Sequence, residues 1–166
     1  MPKRQNNIQL LSRFNFDQRT EYRRTNIGIV FQEYNLFDYL NVSENIELAL
    51  MIKNENFRNT SEIEKLLQIC NIEHRKTHKV KQLSGGEKQR VQIAVALAGN
   101  SRIILADEPT GNLDSNNSKN IFELFQKINH DMNTTILVVS HNIVITEYTS
   151  KAIKIIDGEL FQNHLE

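Results

Sequence analysis

Two short apolar runs separated by one helix-length segment constrain the fold most. "RIILAD" (102–107) and "TTILVVS" (134–140) are continuous, β-branched and too short for buried helices, so each reads as a buried strand. Between them, residues 115 to 130 place Ile121, Leu124, Phe125 and Ile128 on one helical face. Strand, helix, strand is the pattern of parallel strands joined by a crossover helix. "IGIVF" (27–31) predicts another buried strand, and "KAIKIIDGEL" two small strands about a turn at Asp157-Gly158. The expected fold class is α/β, with a mostly parallel, doubly wound sheet. Ligands of such sheets bind beyond the carboxyl ends of the strands. Those ends are polar here: Gln32, then Asp107-Glu108, then Ser140-His141.

The middle of the chain has helical spacing instead. Val42, Ile46, Ala49 and Leu50 predict a helix over 42–53 with Ser43 as its cap. Ile63, Leu66, Leu67 and Cys70 predict a second over 60–70, capped by Thr60 or Ser61. A third runs from Ser84 to about Ala98, with Val91, Ala94, Val95 and Ala98 inward and Gly99 ending it. Residues 17–25 are polar and helix-compatible, 32–41 read as a loop, and 75–82 as a basic loop. The expected organisation is an α/β core over 1–35 and 100–166, with a helical lobe inserted at about 36–99.

Composition narrows the function classes. The 166 residues carry 20 Lys plus Arg against 20 Asp plus Glu. That balance lacks the basic footprint of a nucleic-acid-binding protein. A single cysteine, Cys70, allows no disulfide within the chain and fits a reducing compartment. No apolar run approaches the roughly 20 residues of a membrane span, and "MPKRQNNIQLL" has no signal-peptide core. The expected location is the cytoplasm, with docking on a membrane protein left open. His74, His78, His130 and His164 have no ligand-like spacing with cysteine, which argues against zinc.

Three short motifs can carry chemistry, and each also has a plain structural reading. Ser84-Gly85-Gly86-Glu87 fits a capping box before an apolar-periodic helix. The same helix start offers free N–H groups to an anion, and two glycines let a phosphate come close. Asp107-Glu108 is either a solvated strand end or a pair in which Asp107 helps hold Mg²⁺ and Glu108 orients or deprotonates a water. Pro109 stops the strand, Gly111 allows a sharp turn, and Asp114 can cap the next helix. His141 alone reads as a surface histidine; adjacent parallel strands would place it near Asp107 and Glu108.

Taken together these residues resemble the ABC-type ATPases. "LSGGEKQRVQIAVAL" resembles their signature motif. "IILADEPTGNLD" looks like the Walker B strand and D-loop, "SHN" (140–142) like the switch histidine, and "IGIVFQEYNLF" like the Q-loop. The wording is most similar to the lipoprotein-release and macrolide-export branch. The resemblance implies a P-loop-NTPase-like fold and an ATPase using ATP and Mg²⁺. It implies that Gln32 touches Mg²⁺ and the attacking water, and that Ser84, Gly85, Gly86 and Glu87 face the γ-phosphate of a nucleotide held by a second ATPase subunit. It further implies that Asp107 supports Mg²⁺, Glu108 is the general base, Asp114 acts across the dimer interface, and His141 contacts the γ-phosphate. A transmembrane permease would dock on residues 33–40 and the helical lobe, placing the chain on the cytoplasmic face of the membrane. No nucleic-acid partner is implied.

Three departures qualify that expectation. No G-x-x-x-x-G-K-[ST] occurs, since the glycines are 28, 85, 86, 99, 111 and 158. The family's phosphate loop lies upstream of the Q-loop, so the chain reads as an N-terminally truncated cassette with Walker A absent. Glu87 stands where glutamine is usual. Val95 stands where the family carries arginine, and a proline usual before the signature is missing. The expected function is the ATP-hydrolysing subunit of an exporter or membrane-extraction transporter. One alternative is a non-catalytic subunit lending its signature motif in trans. Another is a DNA-repair or chromosome-maintenance ATPase, disfavoured by the neutral charge and the lack of sustained heptads.

Overall fold

A computed structural model describes residues 11–54 and 60–161. Helix α1 (Phe16–Asn26) starts at a capping box: Asn15 Oδ1 accepts from the Gln18 N–H at 2.9 Å and Gln18 Oε1 accepts from the Asn15 N–H at 3.0 Å. Its sequence is polar and none of its residues is buried. It delivers the chain into β1 (Ile27–Val30). Then come α2 (Val42–Lys53), α3 (Thr60–Ile69) and α4 (Gly85–Leu97). β2 (Ile103–Asp107), α5 (Ser115–Met132) and β3 (Thr135–Val139) follow, and a β4 (Lys154–Ile156)–β5 (Glu159–Phe161) hairpin closes the order. The hairpin turn has φ 49° at Asp157 and 83° at Gly158, the positive pair that a tight two-residue turn requires.

The cap of α2 differs from expectation. Asn41, not Ser43, holds its start, accepting from the Glu44 N–H at 2.8 Å while Glu44 reaches back to the Asn41 N–H. Ser43 instead donates its own N–H to the Lys76 carbonyl. Val42 therefore becomes the first helical residue, and with Ile46 and Leu50 it is buried. Helix α4 begins and ends as its sequence predicts, with Ser84 capping and Gly99 at φ 65° beyond the last turn.

β1, β2 and β3 form a parallel sheet in that order, with Val30 paired to Ala106 and Ala106 to Val138. Strict pairing puts Gly28, Ile104 and Ile136 on the same face as Val30, Ala106 and Val138. That face lies on the core, where Val30 and Ile104 pack with Val91, Ala94 and Leu97 of α4 and with Ile121, Phe125 and Ile128 of α5. The cysteine joins the same core from the end of α3; burial pushes the Cys70 thiol up to about 12, so it acts as a small apolar group.

The strands are less buried than their apolar runs predict. Among the described residues, helices cover one face only. On the other face Ile29 is 46% exposed, Leu137 58% and Val139 60%. Parallel sheets are ordinarily covered on both sides. The apolar runs record that both faces are suited to burial. What lies against each face is set by the rest of the fold, which a run of β-branched residues does not encode.

Candidate functional site

The polar residues at the strand ends gather where the theory of open parallel sheets places a site. β2 ends at Asp107, level with Val139 of β3. The chain then turns sharply: Glu108 has φ 44°, a left-handed conformation rare for glutamate and a sign of local strain. Its N–H donates to the Val139 carbonyl at 2.9 Å, and its own carbonyl accepts from Gly111 at 3.0 Å. This turn aims the carboxylate across to the end of β3. There Glu108 Oε1 accepts the His141 N–H at 2.8 Å and lies 2.8 Å from His141 Nδ1, and Glu108 Oε2 accepts from the Ser140 hydroxyl at 3.2 Å. The His141 side chain is 79% exposed while that of Glu108 is 19% exposed, so the histidine faces outward over a mostly sheltered carboxylate. Asp107 is exposed, and its carboxylate has no partner among the described residues.

The signature turn sits against a different wall of the same region. Ser84 Oγ accepts the Glu87 N–H at 3.3 Å and Glu87 Oε2 accepts the Ser84 N–H at 2.8 Å, completing the predicted capping box. A methyl group added to Gly85 would lie 3.0 Å from the Tyr34 hydroxyl and 3.3 Å from Leu113 Cδ2. One added to Gly86 would lie 3.0 Å from Asn117 Oδ1. The glycines therefore let the start of α4 nest against both the segment after Gln32 and the turn into α5. Asp114 caps α5, accepting from the Asn117 N–H at 2.8 Å and from its amide at 2.6 Å, and these bonds hold its carboxyl below the ordinary aspartate range. The Gln32 carbonyl accepts from Asn112 Nδ2 at 3.1 Å, and Gln92 of α4 donates to the Glu33 carbonyl at 3.2 Å. All four segments singled out in the sequence are thus linked by direct contacts.

Sequence reasoning did not pick out Ser140 as a partner of Glu108, nor Tyr34, Asn112 and Asn117 as the groups around the glycines. Only Ser140 carried a signal, as the last residue of a strand ending beside an acid. The others belong to loops and a helix start whose neighbours are remote in sequence.

Both oxygens of Glu87 are engaged within the chain, because Arg75 Nε donates to Glu87 Oε1 at 2.7 Å. Partial burial alone would raise the pKa of this carboxyl, but the Ser84 N–H and hydroxyl and the Arg75 guanidinium outweigh it and hold it at about 2. The folded chain therefore binds this proton less readily than the unfolded chain, whose ordinary value is 4.5. The stabilisation is complete above about pH 4.5 and is lost as pH falls toward 2. In Glu87→Gln, urea unfolding followed from pH 6 to pH 2 is expected to lose part of that acid sensitivity. At pH 7 the variant is expected to be less stable by on the order of 1–2 kcal/mol. An unchanged pH profile would contradict the ion pair.

No cluster of three or more His, Cys, Asp or Glu side chains able to hold a metal occurs among the described residues. Mg²⁺ does not need such a cluster, because it keeps several waters and takes only one or two protein oxygens alongside substrate phosphates. Asp107 and Gln32 are both exposed, with oxygens of the type such an ion takes.

Glu108, Ser140 and His141 thus meet at the carboxyl ends of β2 and β3. The sequence matches the ABC transporter family over residues 2–111, and the chain belongs to that family. It is 43% identical over 149 residues to the uncharacterized ABC transporter ATP-binding protein MJ0796 of Methanocaldococcus jannaschii, covering 87% of this chain and 63% of the relative. It is 40% identical over 148 residues to a putative ABC transporter ATP-binding protein of Mycoplasma pneumoniae, the MG468.1 homolog, covering 89% of this chain and 51% of that one. The chain thus spans between half and two thirds of these curated relatives. Among solved structures it resembles the dimeric post-hydrolysis state of MJ0796 bound to ADP and Pi. There the TM-score is 0.76 at 37% identity, over 90% of this chain and 68% of that one. It also resembles cbiO1 of Clostridium perfringens, part of the cbiONQ transporter complex, with TM-score 0.79 at 27% identity over 89% and 59% of the two chains.

Proposed function

We propose that this chain supplies the signature, Walker B, D-loop and switch-histidine parts of an ATP-hydrolysing site in a transporter of the export or membrane-extraction type. The observation that carries the reading is the Glu108 carboxylate, sheltered, turned by a left-handed backbone and braced by Ser140 and His141. A carboxylate so held accepts a proton from a water aligned on a terminal phosphate. The Ser84–Gly86 turn offers the N–H groups of Gly85 and Gly86 and the helix-start dipole to the phosphates of a nucleotide held by a second ATPase subunit. Asp107 and Gln32 would hold Mg²⁺, whose charge offsets that of the phosphates when bound. His141, outward from Glu108, meets the γ-phosphate, and Asp114 lies at the turn that faces the partner subunit. A permease would sit on residues 33–40 and the helices of about 36–99, with the α/β core over 1–35 and 100–166, at the cytoplasmic face of a membrane. Among the described residues, no helix is long and apolar enough to cross it.

One feature favours a second form of the same reading. The Walker A lysine and loop supply much of the charge stabilisation for the β- and γ-phosphates, and no such loop occurs within these 166 residues. In this reading these residues complete a site whose phosphate loop is supplied by other residues, of this protein or of a partner. Isothermal titration of the purified 166-residue chain with Mg-ATP is expected to show binding no tighter than the millimolar range. Micromolar affinity would overturn the reading of a composite site.

A further inference from the structure

We propose that Arg75 is a positioning residue for the signature turn, acting through Glu87. The chemistry starts from the acid itself. A glutamate at this position brings a negative charge to a partly buried helix start, where an unpaired carboxylate is costly. Arg75 meets it with Nε 2.7 Å from Oε1, while the other oxygen takes the Ser84 N–H at 2.8 Å. The His74 Nε2 is 3.6 Å from the same Oε1 but sits on a side chain that is 60% exposed, a looser contact than the guanidinium.

Arg75 is itself fixed. Its NH1 lies 3.2 Å from His78 Nε2; arginine only donates, so that nitrogen accepts. Its carbonyl accepts from the His78 N–H at 2.8 Å. The same short segment is fastened to the start of α2, because Val42 N–H donates to the His78 carbonyl at 3.1 Å and Ser43 N–H to the Lys76 carbonyl at 3.0 Å. Lys79 Nζ reaches the Tyr39 carbonyl at 2.7 Å. Arg75 thus stands on a braced loop between the segment that follows residues 33–40 and the first turn of α4. With Glu87 held by Arg75, the carboxylate stays on the Ser84 N–H, and the N–H groups of Gly85 and Gly86 keep the orientation that the proposed phosphate contact uses. What the turn is for rests on the proposed function; that Arg75 holds it does not.

Single-residue amide exchange by NMR on the whole chain tests this. Arg75→Ala is expected to speed exchange of the Ser84 amide about tenfold, and Arg75→Lys about threefold, since lysine restores the charge without the fork. Amides of Ile93 to Leu97 should keep their wild-type rates, which marks an intact helix. Glu87→Gln should rescue Arg75→Ala, bringing the double variant to the rate of Glu87→Gln alone, because no stranded carboxylate remains. A role for Arg75 in general packing would not be rescued by changing one charge. The proposal is overturned if Arg75→Ala leaves Ser84 exchange within twofold of wild type, or if the double variant exchanges as fast as Arg75→Ala. Should Arg75→Ala unfold, a double variant that also fails to fold overturns it as well. Mg-ATP titration reads the proposed function separately, so either result can fail without the other.

Discussion

Gly28→Ala is expected to destabilise the chain by about 3 kcal/mol, the upper range for overpacking a tight core. A β-carbon at Gly28 would sit 2.1 Å from the Ala96 carbonyl oxygen and 2.7 Å from its carbon. Both atoms belong to backbone, so no side chain can swing away. β1 and α4 would have to separate, and α4 is the helix that carries the signature turn. For a domain of this size the loss corresponds to a fall in Tm of roughly 6–12 °C, readable by circular dichroism or calorimetry. The added methyl also bears on function, since spreading β1 from α4 would strain the Gln92 bond to the Glu33 carbonyl beside Gln32. A variant that melts within about 2 °C of wild type would show that this close approach is not present in solution.

Glu108→Gln is expected to lower ATP turnover by roughly 10²–10⁴-fold in an assembly that provides a phosphate loop, while nucleotide binding changes little. Glutamine keeps the size of the side chain; its carbonyl oxygen can still accept the His141 N–H, and its amide NH2 can donate to the Ser140 hydroxyl oxygen in place of the bond that Glu108 accepts. It cannot accept a proton from water. The fold around it should therefore survive, and a separation of binding from hydrolysis would identify the carboxylate's role. Single-turnover hydrolysis with the subunit in excess is the measurement. Undiminished turnover would remove Glu108 as the general base. Because Glu108 occupies a strained φ of 44°, a Glu108→Gly control separates the contribution of the backbone turn from that of the carboxylate.

Much of the architecture was legible in the chain. The helix over 42–53, the capping box at Ser84, the parallel pairing of 102–107 with 134–140, and the turn at Asp157-Gly158 all follow from short-range signals. Periodicity, cap residues and turn residues act within a few positions of one another, so a linear reading captures them. The convergence of Gln32, Glu108 and His141 on one sheet edge was also readable, because parallel strands bring their carboxyl ends together. Less was legible where two residues compete for one role. Asn41 and Ser43 are both good caps, and Asn41 holds α2 because Ser43 is drawn to the Lys76 carbonyl by a segment over thirty residues away.

The sequence by itself determined the element types, the polar strand ends and the family, because these rest on residue chemistry and local spacing. Tertiary structure alone decided which face of the sheet is covered, since an apolar strand is suited to burial on both sides whatever packs there. It alone decided that Gly28 must be glycine, since the reason is a carbonyl 68 residues further along the chain. It also decided that Glu87 answers to Arg75. A salt bridge is a matter of ångströms, and no spacing along the chain states which charges will meet when a loop folds back on a helix start.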